Sequence, residues 1–255
     1  MDLHISNSDY SQSGLPHKED PLVHSSVFRE YDIRGLANSA ITNEFALSLG
    51  VALGELALSQ DQQAFFVGRD VRLSSKSLTE ALCSGLEVAG CHVINLGEVT
   101  TPIVNFSIEH DPICKSGVMV TASHNPAAYN GFKIILDGEV VSGQQLQELK
   151  SALKPNNVSP DVSAPQITKG IISQYCQHII SNSSIDRSFK LVIDAGNSVA
   201  GPIAIDLFKG LGCAVESLYC DIDGSFPNHD PNPSDEKNLQ DLIAKVVSTG
   251  SDLGF

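Results

Sequence analysis

Residues 64–97, AFFVGRDVRLSSKSLTEALCSGLEVAGCHVINLG, carry the pattern that decides the fold class. AFFVG is a short apolar run closed by Gly68, which is how a fully buried strand reads. SSKSLTEALCSGLEVAG then spaces its apolar residues for a helix and stops at Gly90. CHVINLG follows as a second strand. Strand, helix and strand in that order build a crossover unit on a parallel or mixed sheet.

The pattern extends in both directions. Upstream, TNEFALSLGVALGELALS is an apolar helix with Thr42 placed as its N-cap. Downstream come a short helix opened by Pro102, the strand GVMVTA, the strand GFKIIL and a hairpin turn at Asp137-Gly138, then the helix SGQQLQELKSAL. The Pro-, Asn- and Ser-rich stretch KPNNVSPDVSAP interrupts the alternation as a linker. Beyond it the predicted elements are the helix KGIISQYCQHII, the strand KLVIDA, the helix GPIAIDLFKGLG, the strand CAVESLY, a loop, the helix EKNLQDLIAKVVSTG and a strand beginning at SDLGF. FFVGRD…AGCHVINLG is echoed by LVIDAG…LGCAVESLY, the layout of a duplicated domain. Residues 1–24 are polar and aperiodic, a mobile tail. The expectation is therefore a tail (1–24) and two α/β/α domains with mixed or parallel sheets, at 25–165 and 166–255.

Composition removes several classes of function. A formal charge of −14 over 255 residues speaks against broad binding to nucleic acid or anionic lipid, both of which need a basic face. No apolar run reaches the roughly 20 residues of a membrane span, and no basic leader precedes an apolar stretch. The expected location is the cytoplasm, with no nucleic-acid or membrane partner; oligomeric state is not readable. The six cysteines form no C-x-x-C pair and sit in apolar segments, so buried thiols are expected.

TASHNP, residues 121–126, delivers Ser123 and His124 from a strand into a loop. Ser123 could be a hydrolase nucleophile, a phosphate carrier, or a residue whose hydroxyl ties its own turn. The G-x-S-x-G elbow of a hydrolase is absent, and adjacent side chains point poorly at each other, so His124 is a weak base for Ser123. Turn-tying is common for serine. Two further segments change the balance. FREYDIRG concentrates Arg29, Tyr31 and Arg34 in a chain with only 16 cations, and NGFKI places Lys133 ten residues after Ser123.

FREYDIRG, TASHNP, NGFKI, VIDAGNSVAG and DGSFPNHDPNP, in this order, resemble the α-D-phosphohexomutases, in particular their bacterial phosphomannomutase/phosphoglucomutase branch. The resemblance runs from about residue 26 to the end. It implies that Ser123 is the phosphoserine and that a metal, Mg²⁺, is met by Ser123 through its phosphate. It implies Lys133 and Arg34 beside the transferring group, His124 in support and Tyr31 near the sugar. The implied reaction moves phosphate between O1 and O6 of a hexose, with a hexose 1,6-bisphosphate as intermediate and activator and a phosphosugar as the only partner. Phosphoglucosamine mutase and a catalytically silent remnant acting as an interaction module are the alternatives. The family's acidic metal loop, D-G-D-x-D-R, does not occur before Phe255. The second domain is thus expected to be truncated before that loop, and the chain by itself to be inactive. Asp221 to Gly224, DIDG, reads as a solvated turn rather than a cation loop.

Overall fold

In the computed structural model of the chain, residues 25–155 and 165–255 are described; the expected tail (1–24) and most of the expected linker (156–164) lie outside them. The first unit runs β1 (Ile33–Leu36), α1 (Asn43–Leu58), β2 (Ala64–Arg69), α2 (Ser75–Ala89), β3 (His92–Glu98), α3 (Thr101–His110), β4 (Gly117–Val120), β5 (Tyr129–Leu136), β6 (Glu139–Val140) and α4 (Gly143–Ala152). Its sheet has the order β1-β5-β4-β2-β3, with β6 on β5. β2, β3 and β4 are parallel; β5 runs against β4, and β1 against β5. The second unit runs α5 (Ile171–Asn182), β7 (Lys190–Asp194), α6 (Ala200–Gly210), β8 (Ala214–Leu218), α7 (Gln240–Thr249) and β9 (Leu253–Gly254), with the parallel order β8-β7-β9.

Local signals account for most boundaries. Thr42 has extended backbone and its hydroxyl accepts from the Phe45 N–H at 3.1 Å, the N-cap bond expected there, worth about 1 kcal/mol. Gly90 closes α2 at φ 102°, in the left-handed region that glycine enters without penalty. Pro102 stands in the first turn of α3, where its missing N–H is not needed. Asp137 and Gly138 turn β5 into β6. β1 is an addition to the sequence reading, which left FREYDIRG unassigned. Four residues that include an arginine and a glycine carry no readable alternation. α7 is shorter than expected, because Glu236–Leu239 form a separate 3₁₀ turn before it.

The period of two along β2 divides the interior. Phe65 and Val67 join Phe45, Leu82 and Phe132 in one buried cluster under α1 and α2. Phe66 points the other way, into a cluster with Val99, Ile103, Val104 and Met119. Cys176 of α5, Ile203 of α6 and Val199 just before α6 belong to that second cluster, so both units share it. Burying each large apolar side chain contributes about 1.5–3 kcal/mol. The seam is tightened by polar bonds: the Asn95 side-chain amide donates to the Pro165 carbonyl at 2.9 Å, and the Asn95 backbone carbonyl accepts from the Thr168 N–H at 2.7 Å.

All six cysteines are buried and unbridged, as expected. Burial pushes the Cys83 thiol up to about 12. No described helix is long and apolar enough to cross a membrane.

Candidate active site at the Ser123 loop

β2 and β4 run parallel and end at the same edge of the sheet. The carboxyl edge of parallel strands is where α/β proteins place ligands. The loop after β4 presents Ser123 there, exposed and at φ 56°. A left-handed backbone at a residue with a Cβ costs about 1–2 kcal/mol, so something must hold it. Thr121 does part of this: its hydroxyl accepts from the Ser123 N–H at 2.9 Å and donates to Asp70 Oδ2 at 2.7 Å. Arg72 does the rest. Its guanidinium donates to the carbonyls of Ser123 (2.8 Å), Asn125 (2.7 Å), Pro126 (2.7 Å) and Tyr129 (3.2 Å). Its Nε–H meets Asp70 Oδ2 at 3.0 Å. The turn-tying task considered for Ser123 thus belongs to Thr121 and Arg72. Among the described residues the Ser123 hydroxyl has no hydrogen-bond partner.

The two expected cations converge. β1 and β5 pair so that Arg34 lies opposite Gly131, and Lys133 sits two residues along on the same face of β5. A Cβ on Gly131 would lie 2.0 Å from the Ile33 carbonyl oxygen, so this approach requires glycine. Arg34 donates from Nη1 to Asn125 Oδ1 at 2.8 Å, reaching the Ser123 loop, and from Nη2 to Asp32. Lys133 Nζ meets the same Asp32 oxygen at 3.2 Å. The Arg34 Nε–H is buried without a partner among the described residues, so the cluster has a donor to spare.

The other expected residues stand apart. His124 is exposed and lines a separate cleft of about 290 Å³ with Tyr129, Asp230 and Asp235, so it does not address the Ser123 hydroxyl as a base. The Tyr31 hydroxyl donates to Glu30 at 2.9 Å, a bond that raises its pKa, and its ring is 62% exposed.

The second unit supplies the opposite wall. A cleft of about 260 Å³ is lined by Ser123 together with Asp194, Gly196, Ser198 and His229. His229 Nε2 lies 3.1 Å from both carboxylate oxygens of Asp194, and Nδ1 lies 2.9 Å from the Asp230 carbonyl oxygen. Burial works against charge on His229. The Asp230 carbonyl and the Asp194 carboxylate together outweigh it and raise its pKa above the ordinary value. DIDG is a turn, as expected: Asp223 Oδ1 accepts from the Ser225 N–H at 2.9 Å and hydroxyl at 2.7 Å. Among the described residues no group of three or more His, Cys, Asp or Glu is placed to hold a metal ion.

Sequence reasoning passed over Asp32, Asp70, Arg72 and the Asp194–His229 pair. Asp32 was hidden by attention to the cations flanking it. Asp70 and Arg72 follow β2 at the same edge as Ser123, and the carboxyl-edge rule could have found them. His229 lies within DGSFPNHDPNP, and nothing in one sequence places it against Asp194.

Residues 25–157 match the family model for phosphoglucomutase/phosphomannomutase alpha/beta/alpha domain I, and residues 173–255 that for alpha/beta/alpha domain II. The phosphomannomutase/phosphoglucomutase of Pseudomonas syringae pv. tomato is 42% identical over 241 residues, which cover 94% of this chain and 51% of that protein. The phosphoglucomutase of Neisseria meningitidis serogroup A is 40% identical over 231 residues, covering 90% and 50%. A crystal structure of a phosphoglucomutase/phosphomannomutase family protein from Burkholderia thailandensis superposes with a TM-score of 0.82 at 38% identity, covering 91% of this chain and 52% of that one. The chain spans about half the length of the curated relatives it matches. Matched in both of its α/β units, this chain belongs to the phosphoglucomutase/phosphomannomutase family.

Proposed function

We propose that Ser123 carries a phosphoryl group in a reversible hexose phosphomutase reaction. The observation that supports this most is the Ser123 hydroxyl itself: exposed and without a partner among the described residues, on a loop that other side chains tie down. In the forward direction O6 of a hexose 1-phosphate attacks the phosphorus on Ser123 as the bond to Oγ breaks. This leaves a hexose 1,6-bisphosphate and a serine hydroxyl. After the sugar turns over, Oγ attacks the phosphorus on O1, the O1–P bond breaks, and hexose 6-phosphate leaves. The proton that O6 loses is matched by the one Oγ gains and later gives up, so the net change is isomerisation. The same bisphosphate, supplied from outside, charges Ser123.

Phosphoryl transfer depends on positioning and on charge at the equatorial oxygens. Arg34 and Lys133 supply that charge, and Asp32 keeps both heads in one place. A phosphoserine brings nearly two negative charges, and in a chain of charge −14 local cations must offset them. A supporting role for His124 and a sugar contact for Tyr31 rest on the family resemblance, since neither residue lines the Ser123 cleft. The expected Mg²⁺ does not find a donor set in these residues. Asp194, the carboxylate in the Ser123 cleft, is engaged by His229, which among the described residues leaves an ion only a phosphate carried on Ser123. No step is assigned to it.

Intact-mass measurement after incubation with glucose 1,6-bisphosphate tests the reading. The parent chain should gain about 80 Da per phosphoryl group, and Ser123→Ala should gain nothing. Equal labelling of both would overturn the assignment.

A further inference from the structure

Arg72 has no role in the phosphoryl chemistry above, yet its surroundings are unusual for a guanidinium. Its side chain is 0% exposed, and among the described residues it has a single carboxylate partner, Asp70. Its terminal nitrogens are spent on four backbone carbonyls of the Ser123 loop. Four convergent carbonyl dipoles repel one another, and a planar fork with several fixed donors is the side chain that reconciles them. Losing it would leave those acceptors unpaired in a dry site.

The other side of the guanidinium is covered from the second unit. The Phe226 ring lies over it, 5.2 Å from centroid to the guanidinium carbon. The same loop comes so close that a Cβ on Gly224 would lie 1.9 Å from the Val71 carbonyl oxygen. Phe226 keeps water from the guanidinium and adds a cation–π contact.

We infer that Arg72 is a positioning residue for Ser123. It holds the loop in the form that presents the hydroxyl, and Phe226 makes that form depend on the docking of the second unit. As a role in phosphoryl transfer this rests on the phosphoserine reading; as a mechanical coupling it does not.

Amide hydrogen exchange of the full chain, followed on peptides covering Thr121–Tyr129, tests the coupling. The Ser123, Asn125 and Tyr129 amides are bonded within this loop and report its integrity. In Arg72→Ala their exchange should rise roughly tenfold or more, as expected when several charge-assisted bonds are lost. Peptides of β2 and α2 should keep the parent rate, and millimolar guanidinium should restore the loop. An arginine that merely filled space would loosen its neighbours generally and would not be rescued. Phe226→Leu, which keeps apolar bulk but removes the ring, should raise exchange in the same loop by a smaller factor.

Parent-like exchange in Arg72→Ala, a general rise, or absence of rescue would overturn the positioning role. Parent-like exchange in Phe226→Leu would overturn the dependence on the second unit. If Arg72→Ala does not fold, Phe226→Leu decides alone: a raised loop rate supports the inference and a parent-like rate overturns it. Phosphorylation of Ser123 is read separately by intact mass, so failure there removes the phosphoserine reading and leaves the exchange result standing.

Discussion

At position 123 the backbone adopts a conformation that serine does not choose, and neighbouring side chains hold it there. Such strain persists where surrounding contacts over-determine it. Individual charges in the cleft can be examined the same way. His229 has its pKa raised in the folded chain, burial being outweighed by the Asp230 carbonyl and Asp194. A histidine with a raised folded-state pKa stabilises the fold fully below its unfolded value, about 6.5, and that contribution fades as pH climbs through the raised value. The stability gap between the parent and His229→Asn should therefore be widest on the acid side of neutrality and should narrow above it. Denaturant titrations at a series of pH values would show this, and a gap that does not change with pH would contradict it. Ser123, Arg34 and Lys133 were legible as types in short motifs. Asp32 and Asp194 were not, because a carboxylate acquires its meaning from partners that only folding supplies.

Among the elements, β1 and β5 matter most to the site, since their register brings Arg34 and Lys133 onto one face. That register needs Gly131, whose missing Cβ lets the Ile33 carbonyl close in. Gly131→Ala would force the two strands apart, at an expected cost of about 1–3 kcal/mol, the usual penalty for overpacking. A thermal melt should fall by several degrees, roughly 2–4 °C per kcal/mol for a chain of this size. An unchanged melting temperature would show that the strands can separate cheaply. The longer helices and the strands β2, β3, β4 and β7 were readable because periodicity and stop signals agreed over them. β1 was not, since its pairing with β5 is set nearly a hundred residues away rather than by its own four residues.

The whole molecule sets the carboxyl ends of parallel strands from two sheets around one cleft, with Ser123 on one wall and Asp194 and His229 on the other. The alternation of strands and helices announced two such units. Their mutual placement could not be read, because Phe66 and Ile203 join one apolar cluster only in three dimensions. The chain spans about half the length of its curated relatives, and its described residues group no metal-binding side chains. We expect the purified 255-residue chain to show little net conversion of glucose 1-phosphate in the presence of the bisphosphate and Mg²⁺. The stabilisation a bound metal gives a transferring phosphoryl is worth several kcal/mol, and about 1.36 kcal/mol is tenfold in rate. A coupled assay with turnover near that of a full-length relative would refute the expectation.

The six thiols in the interior have a practical side. With Cys83, Cys91, Cys114, Cys176, Cys213 and Cys220 all shielded, a maleimide dye should ignore the native chain. A cysteine introduced at exposed Ser225 and another at exposed Lys76 would then be the addressable pair. Energy transfer between dyes at those positions could report the spacing of the two units without first stripping out any natural sulfur.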